Sequence, residues 1–249
     1  MKKLKCIGGY VCKKYLKENL LESKGCIEKR IRLINHFDKS IPGLLNTTID
    51  EKRHRYFYRQ KYCKPLKKQI YDKDDFCGLV ETLTYFEEKE FVHGDLNRKN
   101  IFWTKEGFKV VDYEPCLYQI KDGKKQFMIT KPYISKNDLT NGKITSLTDK
   151  IAFYYFILRM YGYLSNRKVV ELSNTLDHQQ EIGISENELE YINYASILSI
   201  AFQNINQYNG FRLYDYIDGF YVPPKPVKEC METRKEVAAY QQEIKKSMK

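Results

Sequence analysis

The sequence has no Cys-x-x-Cys pair, no internal repeat, no low-complexity tract and no apolar run long enough to cross a bilayer. Its seven cysteines, at 6, 12, 26, 63, 77, 116 and 230, are odd in number and widely scattered. Neither a paired-cysteine zinc site nor a disulfide framework is indicated, and free thiols in a reducing compartment fit best. The longest apolar run, Ile151 to Leu158, stops at Arg159, far short of the roughly 20 residues of a membrane-spanning helix. The basic start, MKKLKCIGGYVCKKY, lacks the run of about seven apolar residues that makes a signal-peptide core. A cytoplasmic protein with no membrane span is expected. Delivery by a signal-less route, as for a bacterial effector, is the alternative.

What the chain does have is positive charge: 43 Lys and Arg against 32 Asp and Glu, a formal +11. Such a field attracts nucleic acid, anionic membrane or phosphorylated ligands without choosing among them. No RNA-binding signature, helix-turn-helix pattern or zinc-finger spacing accompanies it, so nucleic acid is not the expected partner and a lysine-rich composition accounts for the excess. With 249 residues, 42% of them hydrophobic, the chain can bury a core as one large domain or two packed lobes.

Along the chain, CIGGYVCKKYL is a glycine pair followed by a β-type run. Cys26 to Phe37 places Ile27, Ile31 and Ile34 at helical spacing, the pattern of an amphipathic helix that Pro42 and Gly43 then terminate. Arg55 to Cys63 is aromatic and β-prone, and ends at Pro65. DDFCGLVETLTYFEEKE offers an aspartate at an N-cap position and apolar residues at 76, 79, 80, 83 and 86, the pattern of a core-facing helix. NIFW and FKVVDY, joined by a turn containing Gly107, read as a β-hairpin. A segment rich in Lys, Gly and Pro runs from Glu114 to Thr145. Helical patterns return in SLTDKIAFYYFILRMYGY and in SENELEYINYASILSIAFQNI, and the prolines at 223, 224 and 226 mark a boundary before a charged tail.

The stretch FVHGDLNRKNIFW, Phe91 to Trp103, crowds His93, Asp95, Asn97 and Asn100 between two apolar runs. Phosphoryl transfer from ATP needs a carboxylate to orient the attacking hydroxyl, a carboxylate and an amide oxygen to hold Mg²⁺, and a cation on the phosphates. HGDLNRKN has the H-x-D-x-x-x-x-N form of a catalytic loop. Asp112 ends FKVVDY, twelve residues beyond Asn100. A hairpin between them would set Asn100 beside Asp112 as a pair of hard oxygen ligands, which Mg²⁺ prefers.

These motifs resemble the protein-kinase-like superfamily, which includes eukaryotic-type protein kinases and the aminoglycoside and choline type of small-molecule kinase; the resemblance covers most of residues 6 to 222. It implies an α+β, bilobal fold: a reduced β-rich N-lobe at 1–64, a mainly helical C-lobe at 65–222, and an accessory tail at 223–249. It implies ATP and Mg²⁺ as cofactors, Asp95 as catalytic base, Asn100 and Asp112 as metal ligands, and His93 as a structural brace. YVCKK resembles the strand bearing the phosphate-binding lysine, with Lys13 the first choice and Lys14 the second. Glu28 would pair with that lysine, Glu22 being the alternative. Gly8 and Gly9 resemble a remnant of the glycine-rich loop, which lacks the full G-x-G-x-x-G pattern. YRQKYCKP would be the hinge, where backbone groups near Gln60 to Tyr62 meet adenine.

Downstream, TKPYISKND, Thr130 to Asp138, resembles the end of an activation segment. Asp149 takes the place of the aspartate that ties the long helix back to the catalytic loop, and Arg212 that of a late C-lobe arginine. Thr130, Tyr133 and Ser135 are candidate phosphorylation positions. Two departures matter. Asn97 stands where Ser/Thr protein kinases carry a lysine, with Lys99 a neighbour that could supply the charge. DYE, with HGD, resembles the small-molecule kinases instead. The expected activity is transfer of the γ-phosphate of ATP to a Ser or Thr hydroxyl of a protein. The alternatives are a small hydroxyl-bearing acceptor, such as an aminoglycoside, a choline-like compound or a saccharide, and a pseudokinase. An activating partner could complete the reduced N-lobe.

Overall fold

In the computed structural model the described residues are 5–66, 71–113, 117–121, 124–127, 129–164 and 166–207. Glu114, Cys116, Arg212, the proline boundary and the charged tail lie outside them. The fold is mixed α+β, with small antiparallel sheets and a larger helical part.

Strands β1 (Lys5–Ile7) and β2 (Tyr10–Leu16) form a hairpin. Its two-residue turn, Gly8 and Gly9, has φ of 57° and 79°, the doubly left-handed turn that glycine adopts without a steric cost. After helix α1 (Lys24–Asn35), strands β3 (Thr47–Lys52) and β4 (Arg55–Lys61) complete a four-stranded sheet of order β1-β2-β4-β3. Strand periodicity puts Tyr56, Tyr58 and Gln60 of β4 on one face, all buried. Helix α1 packs against β3 and buries Ile27, Arg30 and Ile34. The Asn35 amide secures this packing by bonding both backbone groups of Ile49, donating to its carbonyl at 3.0 Å and accepting its N–H at 2.7 Å.

The link from α1 to β3 meets the helical part at Gly43. Its N–H donates to Thr82 Oγ1 at 2.9 Å and its carbonyl accepts the Val110 N–H at 2.9 Å. A Cβ at this position would overlap the Thr82 side chain. Thr82 belongs to α2 (Cys77–Glu88), which buries Leu79, Leu83 and Phe86. The expected aspartate N-cap is absent: α2 follows a 3-10 turn, Asp74–Phe76, and has no side-chain cap. Asp72 and Asp75 instead bond each other's N–H groups, at 2.9 and 3.1 Å.

The hairpin β5 (Ile101–Thr104) and β6 (Gly107–Val110) follows. Strand β6 stops at Val110, so Asp112 lies two residues beyond the strand it was expected to end. Next come the pair β7 (Tyr118–Lys121) and β8 (Lys124–Phe127) and the short helix α3 (Lys136–Asn141). Helix α4 (Ser146–Met160) is buried on every face from Leu147 to Leu158, as its apolar run from Ile151 to Leu158 requires; Thr148, Asp149 and Lys150 are buried polar residues of its first turns. Helices α5 (Asn166–Thr175) and α6 (Gln179–Ile182) fall where no clear periodicity is legible in the sequence. The last helical pattern divides into α7 (Glu186–Tyr191) and α8 (Tyr194–Gln207). Asn193 separates them, its side-chain oxygen accepting the Ser196 N–H at 2.8 Å. None of the described helices is long and apolar enough to cross a membrane.

Candidate functional site

The loop from Val92 to Asn100 is held by groups distant in sequence. The Asp149 carboxylate on α4 accepts the N–H groups of His93 and Gly94, at 2.6 and 2.8 Å. His93 Nε2 bonds the Val111 carbonyl at 2.8 Å, and the Asp95 N–H donates to Nδ1 at 3.2 Å. That pair of bonds fixes a neutral imidazole protonated at Nε2. Burial drives the His93 pKa down to about 4 and lifts that of Asp149 to about 7, the two N–H donors opposing the latter rise. Gly94 has φ 80°, and a Cβ there would sit 2.6 Å from Leu117 Cδ2. Both backbone angle and space require glycine immediately before Asp95.

Asp95 is the hub. Oδ1 accepts from Thr130 Oγ1 at 2.6 Å and from Asn97 Nδ2 at 2.9 Å, while Oδ2 accepts from Asn100 Nδ2 at 2.8 Å. Asn97 Nδ2 also reaches Thr130 Oγ1, at 3.1 Å. Burial raises the Asp95 pKa, and the hydrogen bonds from Thr130, Asn100 and Asn97 counter it. The position where a lysine was the family expectation is thus an uncharged amide bridging Asp95 and Thr130. Lys99 is the neighbour that was expected to be able to supply the charge. It is exposed, and its bond to Asn97 Oδ1, at 2.8 Å, comes from its backbone N–H.

The hairpin sets Asn100 beside the segment carrying Asp112. Beyond the Ile101–Val110 pair, the Val111 N–H donates to the Asn100 carbonyl at 2.8 Å. Asp112 then turns with φ 64°, a left-handed angle that costs a non-glycine residue about 1 kcal/mol or more. The sheet supports that turn: the Gln60 side-chain carbonyl accepts the Asp112 N–H at 3.3 Å, and Tyr58 OH accepts the Tyr113 N–H at 3.2 Å. From β2, Lys13 Nζ lies 2.7 Å from Asp112 Oδ2 and 5.8 Å from the centre of the Tyr58 ring. Lys14 points to the other face of the sheet, over Phe57.

The remaining expected residues are not brought to this place in the expected way. Glu28 is an i,i+4 partner of Lys24, at 3.6 Å, on a half-buried flank of α1. One position in the helix decides this, since the buried stripe runs through 27, 30 and 34. Glu22 accepts the Leu117 N–H at 2.7 Å. Gly8 and Gly9 make a tight turn rather than a phosphate-wrapping loop. At the expected hinge, Gln60 lies within the β-ladder, and Lys61 N–H donates to Asn46 O and Tyr62 N–H to Gly9 O, both at 2.8 Å. Those two N–H donors, expected to face adenine, are already engaged because the sheet continues to that point.

Two contributors were missed by sequence reasoning: Tyr58, for which the sequence carried no signal, and Arg30. The latter has a signal, a cation on an otherwise apolar stripe. Arg30 is 8% exposed; its guanidinium donates to the carbonyls of Val92 and His93 and lies 4.3 Å from the centre of the Phe91 ring.

Among the described residues no group of three or more His, Cys, Asp and Glu forms a metal cluster, which sets aside zinc-type sites there. Mg²⁺ needs less from a protein, taking one or two carboxylates with waters and substrate phosphates. Asp112 Oδ1 and the Asn100 amide oxygen have no hydrogen-bond donor on them among the described residues, and hard oxygens of this kind fit that ion. No family model and no curated protein matches the chain.

Proposed function

We propose that the protein is an ATP- and Mg²⁺-dependent phosphotransferase built on a bilobal, kinase-like fold. The segment 1–64, which carries the four-stranded sheet, would be its nucleotide lobe and the segment 65–222 its catalytic lobe. The observation that carries this reading is the meeting of Lys13 with Asp112 at 2.7 Å, next to Asn100 and on the same hairpin as the Asp95 loop. A cation, two oxygen ligands and a carboxylate base are the parts that phosphoryl transfer requires.

In this mechanism the acceptor hydroxyl takes the place at Asp95 Oδ1 that the Thr130 hydroxyl now occupies. Asp95 accepts its proton as the acceptor oxygen bonds to the γ-phosphorus and the bond to the bridging oxygen breaks, releasing ADP. The raised Asp95 pKa favours that proton transfer. Lys13 exchanges Asp112 for the phosphates. Asp112 and Asn100 would hold Mg²⁺, which would supply charge neutralisation during the transfer. His93 and Asp149 shape the loop and take no proton from substrate.

TKPYISKND favours a protein Ser or Thr as acceptor, since Thr130 is already positioned against the base. The second reading, a small hydroxyl-bearing acceptor such as a saccharide or aminoglycoside, is favoured by Asn97, which brings no cation to the transferring phosphate. Labelled ATP with Mg²⁺, offered alone, with generic protein substrates and with a sugar and aminoglycoside panel, separates them. Asp95→Asn should lower transfer by about 10²-fold or more. A variant that transfers at the wild-type rate would remove Asp95 from the mechanism.

A further inference from the structure

Arg30 is the cation on the buried face of α1, and what it binds is the backbone just ahead of Asp95. Its guanidinium donates to the carbonyls of Val92 and His93, the latter at 3.3 Å, and stacks on Phe91. From the other side, Asp149 on α4 accepts the N–H groups of His93 and Gly94 at 2.6 and 2.8 Å. Residues 92 to 94 therefore lie between a cation that takes their carbonyls and a carboxylate that takes their amides. Each buried charge is compensated through peptide dipoles, and withdrawing either would strand polar groups away from water.

This arrangement links two parts of the candidate site. Helix α1 is fixed to the sheet through Asn35 and Ile49, and the same sheet carries Lys13. The loop carries Asp95. Arginine suits the link because its planar fork reaches two carbonyls and its face stacks on an aromatic ring, neither of which a lysine does equally well.

We propose that Arg30 is a positioning residue that latches α1 to the Asp95 loop, so that the site is assembled constitutively and needs neither an activating partner nor phosphorylation of the segment after Asp112. The regulatory claim rests on the phosphotransferase reading; the latch itself rests on geometry alone. An α1 that swung outward would have to leave the Val92 and His93 carbonyls without donors, so the assembled arrangement is favoured without outside help.

The test uses the full chain in four forms: wild type, Arg30→Met, Arg30→Lys, and Lys29→Ala as a control on the exposed side of the same helix. Thermal melting establishes that each is folded. With Mg²⁺, ATP and water as acceptor, phosphatase-treated wild type should keep its kcat. Arg30→Met should lose about tenfold or more in kcat, the order expected when a base is misplaced by a fraction of an ångström. Its KM for ATP should stay within about twofold, as for an interaction that serves the transition state. Arg30→Lys should recover part of the loss and Lys29→Ala should match wild type. If Arg30→Met does not fold, Arg30→Lys carries the comparison and should fall between about twofold and tenfold below wild type. Amide hydrogen exchange over residues 91 to 97 should quicken in the Arg30 variants. A folded Arg30 variant with wild-type kcat and unchanged exchange overturns the latch, and wild type that works only after phosphorylation or with a partner overturns constitutive assembly. If wild type turns over no ATP, the phosphotransferase reading and constitutive assembly fall, and the exchange comparison still decides the latch.

Discussion

Two buried titratable side chains flank the Asp95 loop, and they pull stability in opposite directions. His93, held neutral with a pKa near 4 against 6.5 when free, binds fewer protons folded than unfolded between those values. Its contribution therefore grows as pH rises from about 4 to 6.5. Asp149, with a pKa near 7 against 3.8, binds more protons folded than unfolded, so its contribution is greatest below about pH 4 and is lost as pH rises through 7. Asp149→Asn removes the second effect and leaves the first. Denaturant midpoints at pH 4.5, 5.5 and 6.5 should show the stability advantage of wild type over Asp149→Asn shrinking as pH rises. A gap that widens would mean that Asp149 is ionised in the fold throughout this range. Gly94→Ala combines the steric conflict with Leu117 and the left-handed angle. It should destabilise by about 1–3 kcal/mol and displace Asp95, so its loss of transfer should exceed what its fraction unfolded explains.

At the scale of elements, Gly43 is the narrowest joint between the sheet and the helices. Gly43→Ala forces Cβ into Thr82 and should cost about 1–3 kcal/mol. Thr82→Ala alone should cost on the order of 1 kcal/mol, since it strands the Gly43 N–H that Thr82 Oγ1 accepts. Combined, the two should cost less than their sum, because the second removes the atoms the first collides with; strict additivity in urea unfolding would show that the two do not touch. Helix ends show how locally such joints can be specified. Ser185 and Glu188 form a complete capping box on α7, written in the sequence at the required spacing. Glu186, the first residue of the same helix, caps a different helix, accepting from Ser135 Oγ and the N–H groups of Lys136 and Asn137 on α3.

Across the whole molecule, the Lys13–Asp112 pair is a charged contact between the sheet and the segment that follows the β5–β6 hairpin. Under the proposed mechanism Mg·ATP takes over both partners, so saturating Mg·ATP should raise the melting temperature. At a concentration of 100 times Kd the added stability is about 2.7 kcal/mol. Asp112→Asn should lose most of that shift while remaining folded, and Mg·ATP that stabilises the variant as much as wild type would place the nucleotide elsewhere.

The sequence by itself determined the local features. The glycine pair at 8 and 9 marks a turn, the run from Ile151 to Leu158 is apolar all round, and HGDLNRKN with Asp112 twelve residues on is a spacing that a hairpin brings together. Periodicity and turn chemistry act over a few residues, so such features are legible one after another. Only the tertiary structure decided partners. Glu28 and Arg30 share a helix, yet a difference of two positions sets one on a half-buried flank beside Lys24 and the other against carbonyls more than sixty residues away. The Gln60 to Tyr62 backbone looked free because a sequence does not show where a sheet stops pairing. Asn97 was legible as a departure from a lysine, but its bridge to Thr130 was not, because that contact joins loops 33 residues apart. Which groups a buried charge meets depends on packing between distant segments, and the order of residues along the chain does not specify that packing one segment at a time.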